Sequence, residues 1–503
     1  MPSQPLPQAV ATPQSPNVAG RSAIFLQATI FFFMGLFVVL LPHSTKGTRH
    51  AFLIAFFVWI ISLAVEHKRM FEQPLALPLL AYIVLSAIST ALSPDPNVSW
   101  GYMKLVCYTA LVGTLFAQNL SRLSQVRVLV VLLLLSAAAA AAFTAWQYTY
   151  GIGVRVDWVD SDSQLFHAGL RPGDVVVKAE GSSVHTPAQL LATLKRTRPG
   201  RLLRINVLRG APIRRRLIAV PVTGPLVTSS LQLAKAKPTR AQGTFRHYGI
   251  FAEVLMPMGC LAWALMLGYL PQRRWPALLW GIIFLAITAS IFATQTRSAL
   301  AGLFAGCMVA GLLLARKRAR IWIFALLLVL AAAATLWIHH TRGLGWLARQ
   351  DAGTQYRRLM WQDGMRLAVQ HPLFGVGMAT IQDHWEQWHL RAFELYHEYW
   401  NFHSDYVQLA AERGALALVA WLWFIGAYIH YLLRLLSRAQ RKNRFASAVL
   451  AGILAGFVAF LLRAVVESAL NDDSLVMQMF FLMGVAIAME RMLQGPGAVN
   501  GVE

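Results

Sequence analysis

Asn401-Phe402-His403-Ser404-Asp405, with Glu412-Arg413-Gly414 close behind, brings imidazole, carboxylate and guanidinium groups together just before a long apolar run. Such groups are costly near hydrocarbon, so a dense set of them at one edge of a membrane marks a site. Further candidates lie at Arg240, Arg246, His247, Arg297, Arg357, Arg358, Arg366, His371, His384, His389 and His397. Arginine dominates the set. Its permanently charged planar fork matches phosphate oxygens, so several arginines converging near one leaflet suit a pyrophosphate-bearing lipid. A histidine surrounded by positive charge favours its neutral form, which can accept a proton.

The elements that must position these groups are apolar. With 57% hydrophobic and 13% charged residues among 503, a soluble enzyme is excluded. Runs of spanning length fall near 22–42, 49–65, 75–93, 101–118, 128–149, 248–270, 275–294, 298–315, 320–338, 414–436, 445–465 and 472–490. The pattern predicts an all-α polytopic membrane protein of about twelve helices. The net charge of +23 does not call for nucleic acid, because lysine and arginine cluster in short connectors between spans. His67-Lys68-Arg69, Arg273-Arg274, Arg316-Lys317-Arg318 and the Arg438–Arg444 stretch all fall on alternate loops. The positive-inside rule places those loops and both termini in the cytoplasm, so 150–247 and 339–413 face the other side, the periplasm of a bacterium. Cys107, Cys260 and Cys307 lie inside apolar segments, which indicates neither disulfides nor a zinc site.

The chain therefore divides into a disordered cytoplasmic tail (1–21), five spans (22–149), an inserted domain (150–225), a linker with four spans (226–338), a large loop carrying the site (339–413), three spans (414–490) and a second tail (491–503). Residues 154–222 alternate like short strands around a helical stretch, Pro187 to Lys195. Ala168-Gly169-Leu170-Arg171-Pro172-Gly173-Asp174, the following Val175 to Gly181, and Val207-Leu208-Arg209-Gly210 resemble the PDZ domains of bacterial envelope proteins. The resemblance implies a small α+β domain between the fifth and sixth spans. It also implies a peptide added to a strand edge at Gly151, Ile152, Gly153 and Val154. A packing module that touches lipid head groups through Arg214-Arg215-Arg216 is the other reading. An intramembrane metalloprotease is excluded, because His397-Glu398 has no second histidine one helical turn on.

The stretch from Tyr356-Arg357-Arg358-Leu359-Met360-Trp361, through His371-Pro372-Leu373-Phe374-Gly375-Val376-Gly377, to His403-Ser404-Asp405-Tyr406 and Glu412-Arg413-Gly414-Ala415-Leu416 resembles the O-antigen ligase / O-antigen polymerase superfamily. Thr294-Gln295-Thr296-Arg297-Ser298 and Arg240 with Gly243 to His247 extend the resemblance, which covers about 239–490. Ser404 stands where the family usually has asparagine, and Ala417 where a second glycine is common. The resemblance implies transfer of a glycan from undecaprenyl pyrophosphate to an acceptor hydroxyl, with inversion and with no cofactor or metal. His403 would be the general base, and Arg297, Arg358 and Arg246 would neutralise the leaving pyrophosphate. Arg240, Glu412 and Asp405 would support them. Of the adjacent pair, Arg358 is favoured over Arg357, because neighbours on a helix cannot both face one site. Trp385, Trp388, Tyr396, Tyr399, Trp400 and Phe402 are expected to form an interfacial belt, and Asn471-Asp472-Asp473 a charged helix start. Lipid A-core is the default acceptor, with a growing glycan or a protein as alternatives. From another class, a polysaccharide transporter or an envelope scaffold remains. A transporter, however, should carry polar groups at the midplane and related halves.

Overall fold

A computed structural model of the protein describes residues 18–66, 70, 72–209, 214–226, 231–237, 240–245, 247–342, 352–396, 401–470 and 472–494. Five helices come first: α1 (Val18–Leu40), α2 (Thr45–Glu66), α3 (Ala76–Ala91), α4 (Pro96–Asn119) and α5 (Leu123–Tyr150). A sheet domain follows. It is built from β1 (Gly153–Val159), α6 (Gln164–His167), β2 (Val175–Ala179), β3 (Ser182–Ser183), α7 (Pro187–Arg196), β4 (Leu202–Arg209), β5 (Arg214–Pro221) and β6 (Leu231–Ala236). The remainder is helical: α8 (Tyr248–Tyr269), α9 (Arg274–Thr294), α10 (Arg297–Leu314), α11 (Lys317–Arg342), α12 (Ala352–Gln370), α13 (Arg391–Tyr396), α14 (Asp405–Lys442), α15 (Arg444–Arg463) and α16 (Asp473–Gln494).

A helix stands at each of the twelve expected spans. Among the described residues, nine of these helices (α1, α2, α5, α8, α9, α10, α14, α15 and α16) are long and apolar enough to cross a membrane. The chain is a multi-pass membrane protein. One of the others, α3, has only 16 residues, or about 24 Å at 1.5 Å rise per residue. The chain forms two compact units: residues 1–137, 253–285 and 297–503 make the first, and 138–252 with 286–296 the second.

In the first unit, small residues let the helices approach closely, as lipid-embedded helices require. A Cβ on Gly302 or Gly306 of α10 would lie 2.9 or 2.7 Å from the carbonyl oxygens of Ala459 and Ala455 on α15. The pairing is antiparallel. Extended to the start of α10, it puts Arg297 level with the end of α15, where Arg463 lies. Helix α14 breaks at Gly414, whose backbone is left-handed at φ 77°. The span expected to open at 414 thus begins after the break, and a short helix precedes it.

In the second unit the strands run β5-β4-β2-β1-β6, with β3 hydrogen-bonded beside β2. Alternate residues Val154, Val156, Val176, Leu203, Ile205, Val207 and Val220 point into one core with Leu190 and Leu194 of α7. Period-2 alternation buries one face of each strand and leaves the other polar. Helix α7 starts in a capping box, in which Thr186 accepts from the Gln189 amide and Gln189 from that of Thr186. The Gly169–Asp174 turn is closed by Asp174, which is buried. Arg209 grips it with two hydrogen bonds of 2.6 Å, and the Arg171 amide donates to it at 2.9 Å. Strand β6, beyond the boundary expected at 225, pairs with β1.

Candidate active site

In the first unit, α12, the segment 401–404 and the turn after α15 converge on His403. Its backbone is left-handed at φ 48°, a conformation a non-glycine residue holds only when its surroundings impose it. The His403 amide donates to the Asn401 side chain at 2.9 Å, and its carbonyl accepts from Trp361 Nε1 at 3.1 Å. The imidazole Nδ1 lies 3.0 Å from Glu467 Oε2, and Arg357 Nη2 donates to Glu467 Oε1 at 2.5 Å. Burial works against ionisation of Glu467. The hydrogen bond from His403 and the charges of Arg357 and Arg463 outweigh it and bring its pKa to about 2. An ionised carboxylate only accepts, so the facing Nδ1 carries the proton. In the neutral tautomer this leaves Nε2 as the proton-accepting nitrogen.

Trp361 and Arg357 are one helical turn apart on α12, so both face His403 and its partner. Arg358, one position on, is turned away from that pairing and is exposed. The arginine that joins His403 and Glu467 is therefore Arg357, not the favoured Arg358. Sequence reasoning also missed Glu467, which reaches His403 only because the turn between α15 and α16 folds back beside it. The faint signal was an arginine and a glutamate, Arg463 and Glu467, at the end of an apolar run. Arg463 is itself buried and pairs with Glu253 of α8.

Asp405 and Glu412 hold the frame. Asp405 accepts from the amides of Ala469 and Leu470 at 2.8 and 3.0 Å, and its own amide donates to Ala464. It thereby fixes the turn that carries Glu467 against the start of α14. Glu412 accepts from the Ala379 amide at 3.0 Å, and its carbonyl from Gly377 at 2.8 Å. The glycines explain themselves here. A Cβ on Gly414 would lie 2.2 Å from the Leu373 carbonyl, and one on Gly375 2.4 Å from the backbone of Glu412. The His371–Gly377 and Glu412–Gly414 motifs thus interlock backbone to backbone. Arg413 points into the helices, towards the Tyr82 hydroxyl.

The loop has its own core of Met360, Leu367, Val376, Ile381, Leu390 and Phe402. Phe402 is fully buried there, and Trp385 and Trp388 pack against it, so these three are not an interfacial belt. His371 meets the Trp388 ring edge-on at 5.3 Å, and Arg366 caps the Trp388 and His389 carbonyls. These histidines serve the loop. His397, Tyr399, Trp400 and Asn471 lie outside the described residues. Asp472 caps α16 by accepting from Ser474, and Asp473 pairs with Arg49.

Arg297 opens α10 and is half-buried. In the second unit, Arg240 donates to the carbonyls of Thr294 and Gln295 at 2.8 and 3.1 Å and lies over the Tyr248 ring. It orders the turn that leads to α10. Gly243 is left-handed at φ 54° and packs on Phe251. Arg246 lies outside the described residues. Gly151 and Ile152 precede β1 and Gly153 and Val154 open it, with β2 and β6 flanking the strand on its two edges.

Residues 281–422 match the sequence profile described as O-antigen ligase, and residues 125–218 that of the PDZ domain. The chain carries an O-antigen ligase domain and a PDZ domain. The ligase domain holds Arg297, Arg357, Arg358, His403 and Glu412, and Glu467 lies beyond its matched end. The chain is also 37% identical over 95 residues to the magnetosome formation protease MamE of Magnetospirillum gryphiswaldense. It is 36% identical over 75 residues to the protein of that name from Paramagnetospirillum magneticum. These stretches cover 18% and 15% of this chain, and 12% and 10% of the relatives' lengths.

Proposed function

We propose that the protein transfers a glycan from undecaprenyl pyrophosphate to an acceptor hydroxyl at the periplasmic face of a bacterial inner membrane. The reading is carried by the His403–Glu467 pair. It leaves a basic Nε2 on a ring whose other nitrogen is held by an ionised carboxylate. In the reaction, Nε2 takes the proton of the acceptor hydroxyl as its oxygen bonds to the anomeric carbon. The bond from that carbon to the pyrophosphate oxygen breaks, and the electron pair leaves with undecaprenyl pyrophosphate. Direct displacement inverts the anomeric centre. The leaving group is already stable, so the protein chiefly needs to meet its growing charge. Arg297 is the arginine assigned to meet that charge, while Arg357 is engaged in ordering Glu467. The charge bias of the loops supports cytoplasmic termini and a periplasmic site. Lipid A-core is the acceptor we favour, with polymerisation of the glycan or transfer to a protein as the related reactions. A strain lacking the protein, complemented with wild type, His403→Ala or Arg297→Ala at equal membrane levels, tests this reading. Glycan on lipid A-core with wild type alone supports it. Full restoration by both variants contradicts it, and a change confined to glycoproteins moves the acceptor to protein.

A further inference from the structure

A PDZ groove lies beside the strand that follows the glycine-rich loop, between that strand and a helix, and accepts an extended peptide antiparallel to the strand. Here the strand is β1, the loop is Gly151-Ile152-Gly153 and the helix is α7. The place is taken. Strand β6 runs antiparallel to β1, pairing Gly153 with Ala236, Arg155 with Ala234 and Val159 with Leu231. Leu231 and Leu233 pack against the domain core, of which Leu190 and Leu194 of α7 are part. The Ile152 amide, at the position that would capture a terminal carboxylate, donates instead to the Ala236 carbonyl at 2.8 Å. The chain runs on through Lys237, so this is recognition of an internal segment. Lys235 adds a hydrogen bond to the Thr149 carbonyl at 2.8 Å. The matched PDZ profile ends at residue 218, and β6 lies beyond it.

We propose that Leu231–Ala236 is the resident ligand of the PDZ groove, held in cis, and that any other peptide reaches the groove only by displacing it. Leu231 and Leu233 set the class of competitor: an extended peptide with apolar residues at alternate positions and no need of a free carboxylate. The latch is also placed to matter beyond the groove. Four residues after it, Arg240 clamps the turn at Thr294 and Gln295. Its release therefore frees the segment that orders the approach to α10.

The test uses the full chain in nanodiscs and a fluorescent peptide with the sequence of residues 229–238, made with either an amidated or a free C-terminus. The double variant Leu231→Asp/Leu233→Asp is expected to bind the probe at least ten-fold more tightly than wild type, with both termini equivalent. Equal binding by wild type and a variant whose β1 and β4 amides stay protected from exchange overturns the proposal, as does a strong preference for the free carboxylate. Where the variant loses that protection, Arg155→Cys with Ala234→Cys decides. Their disulfide should form in membranes without any added peptide, and its failure to form under oxidising conditions overturns the proposal.

Discussion

Glu467→Gln is the sharpest perturbation of the site, because it changes one charge and almost no volume. The carboxylate accepts at one oxygen from Arg357 (2.5 Å) and at the other from His403 Nδ1 (3.0 Å). An amide cannot do both. With its oxygen towards Arg357, its NH2 faces Nδ1 and favours the tautomer that protonates Nε2, which then cannot act as base. With its oxygen towards His403, two donors meet at Arg357. Either orientation forfeits one charge-assisted hydrogen bond, worth about 1.5–3 kcal/mol. If that loss falls on the transition state, kcat drops about 10- to 150-fold. KM for the lipid-linked donor should stay near wild type, because Glu467 positions His403 and holds no substrate in this account. Steady-state transfer by purified protein in nanodiscs, with thermal unfolding as a control, reads both quantities. Glu467→Asp keeps the charge and should retain more activity than the glutamine variant. A Glu467→Gln protein within two-fold of wild-type kcat would refute the tautomer argument.

Two further outcomes follow from the geometry. Gly414→Ala places a Cβ 2.2 Å from the Leu373 carbonyl at a left-handed residue, so it should cost several kcal/mol, about 2–5 by comparison with other strained or overpacked sites, read as a lowered unfolding midpoint or loss of folded protein from membranes. Burial raises the Asp472 carboxyl to about 6, with the Ser474 amide and Arg463 opposing. Its folded pKa thus lies above its unfolded one, and the charge destabilises the fold as pH rises from about 4 through 6. Asp472→Asn should therefore raise stability by about 1–3 kcal/mol at pH 8 and leave it unchanged at pH 4, measured by thermal unfolding at both.

The helices were legible because a bilayer demands about 20 apolar residues per crossing, and little else in a chain produces such runs. Strands β1, β2, β4 and β5 were legible from alternation. Strand β6 was not: Leu-Gln-Leu-Ala-Lys-Ala is short, and it becomes a strand only through its pairing with β1. His403, Glu412 and Gly414 stood out as chemistry-bearing types in a motif. Glu467 did not, because its partnership depends on how one turn folds against residues 64 positions away. The choice between Arg357 and Arg358 rested on helix phase, which became readable once Trp361 fixed the face that meets His403.

In the proposed reaction His403 Nε2 accepts the acceptor's proton as undecaprenyl pyrophosphate leaves. The most direct measurement supplies purified protein in proteoliposomes with a defined undecaprenyl-pyrophosphate glycan and lipid A-core, and follows the released lipid pyrophosphate and the anomeric configuration of the product. Wild type is expected to give an inverted linkage, and His403→Gln to slow release at least a hundred-fold with donor binding preserved. A retained configuration, or wild-type release from His403→Gln, would contradict it.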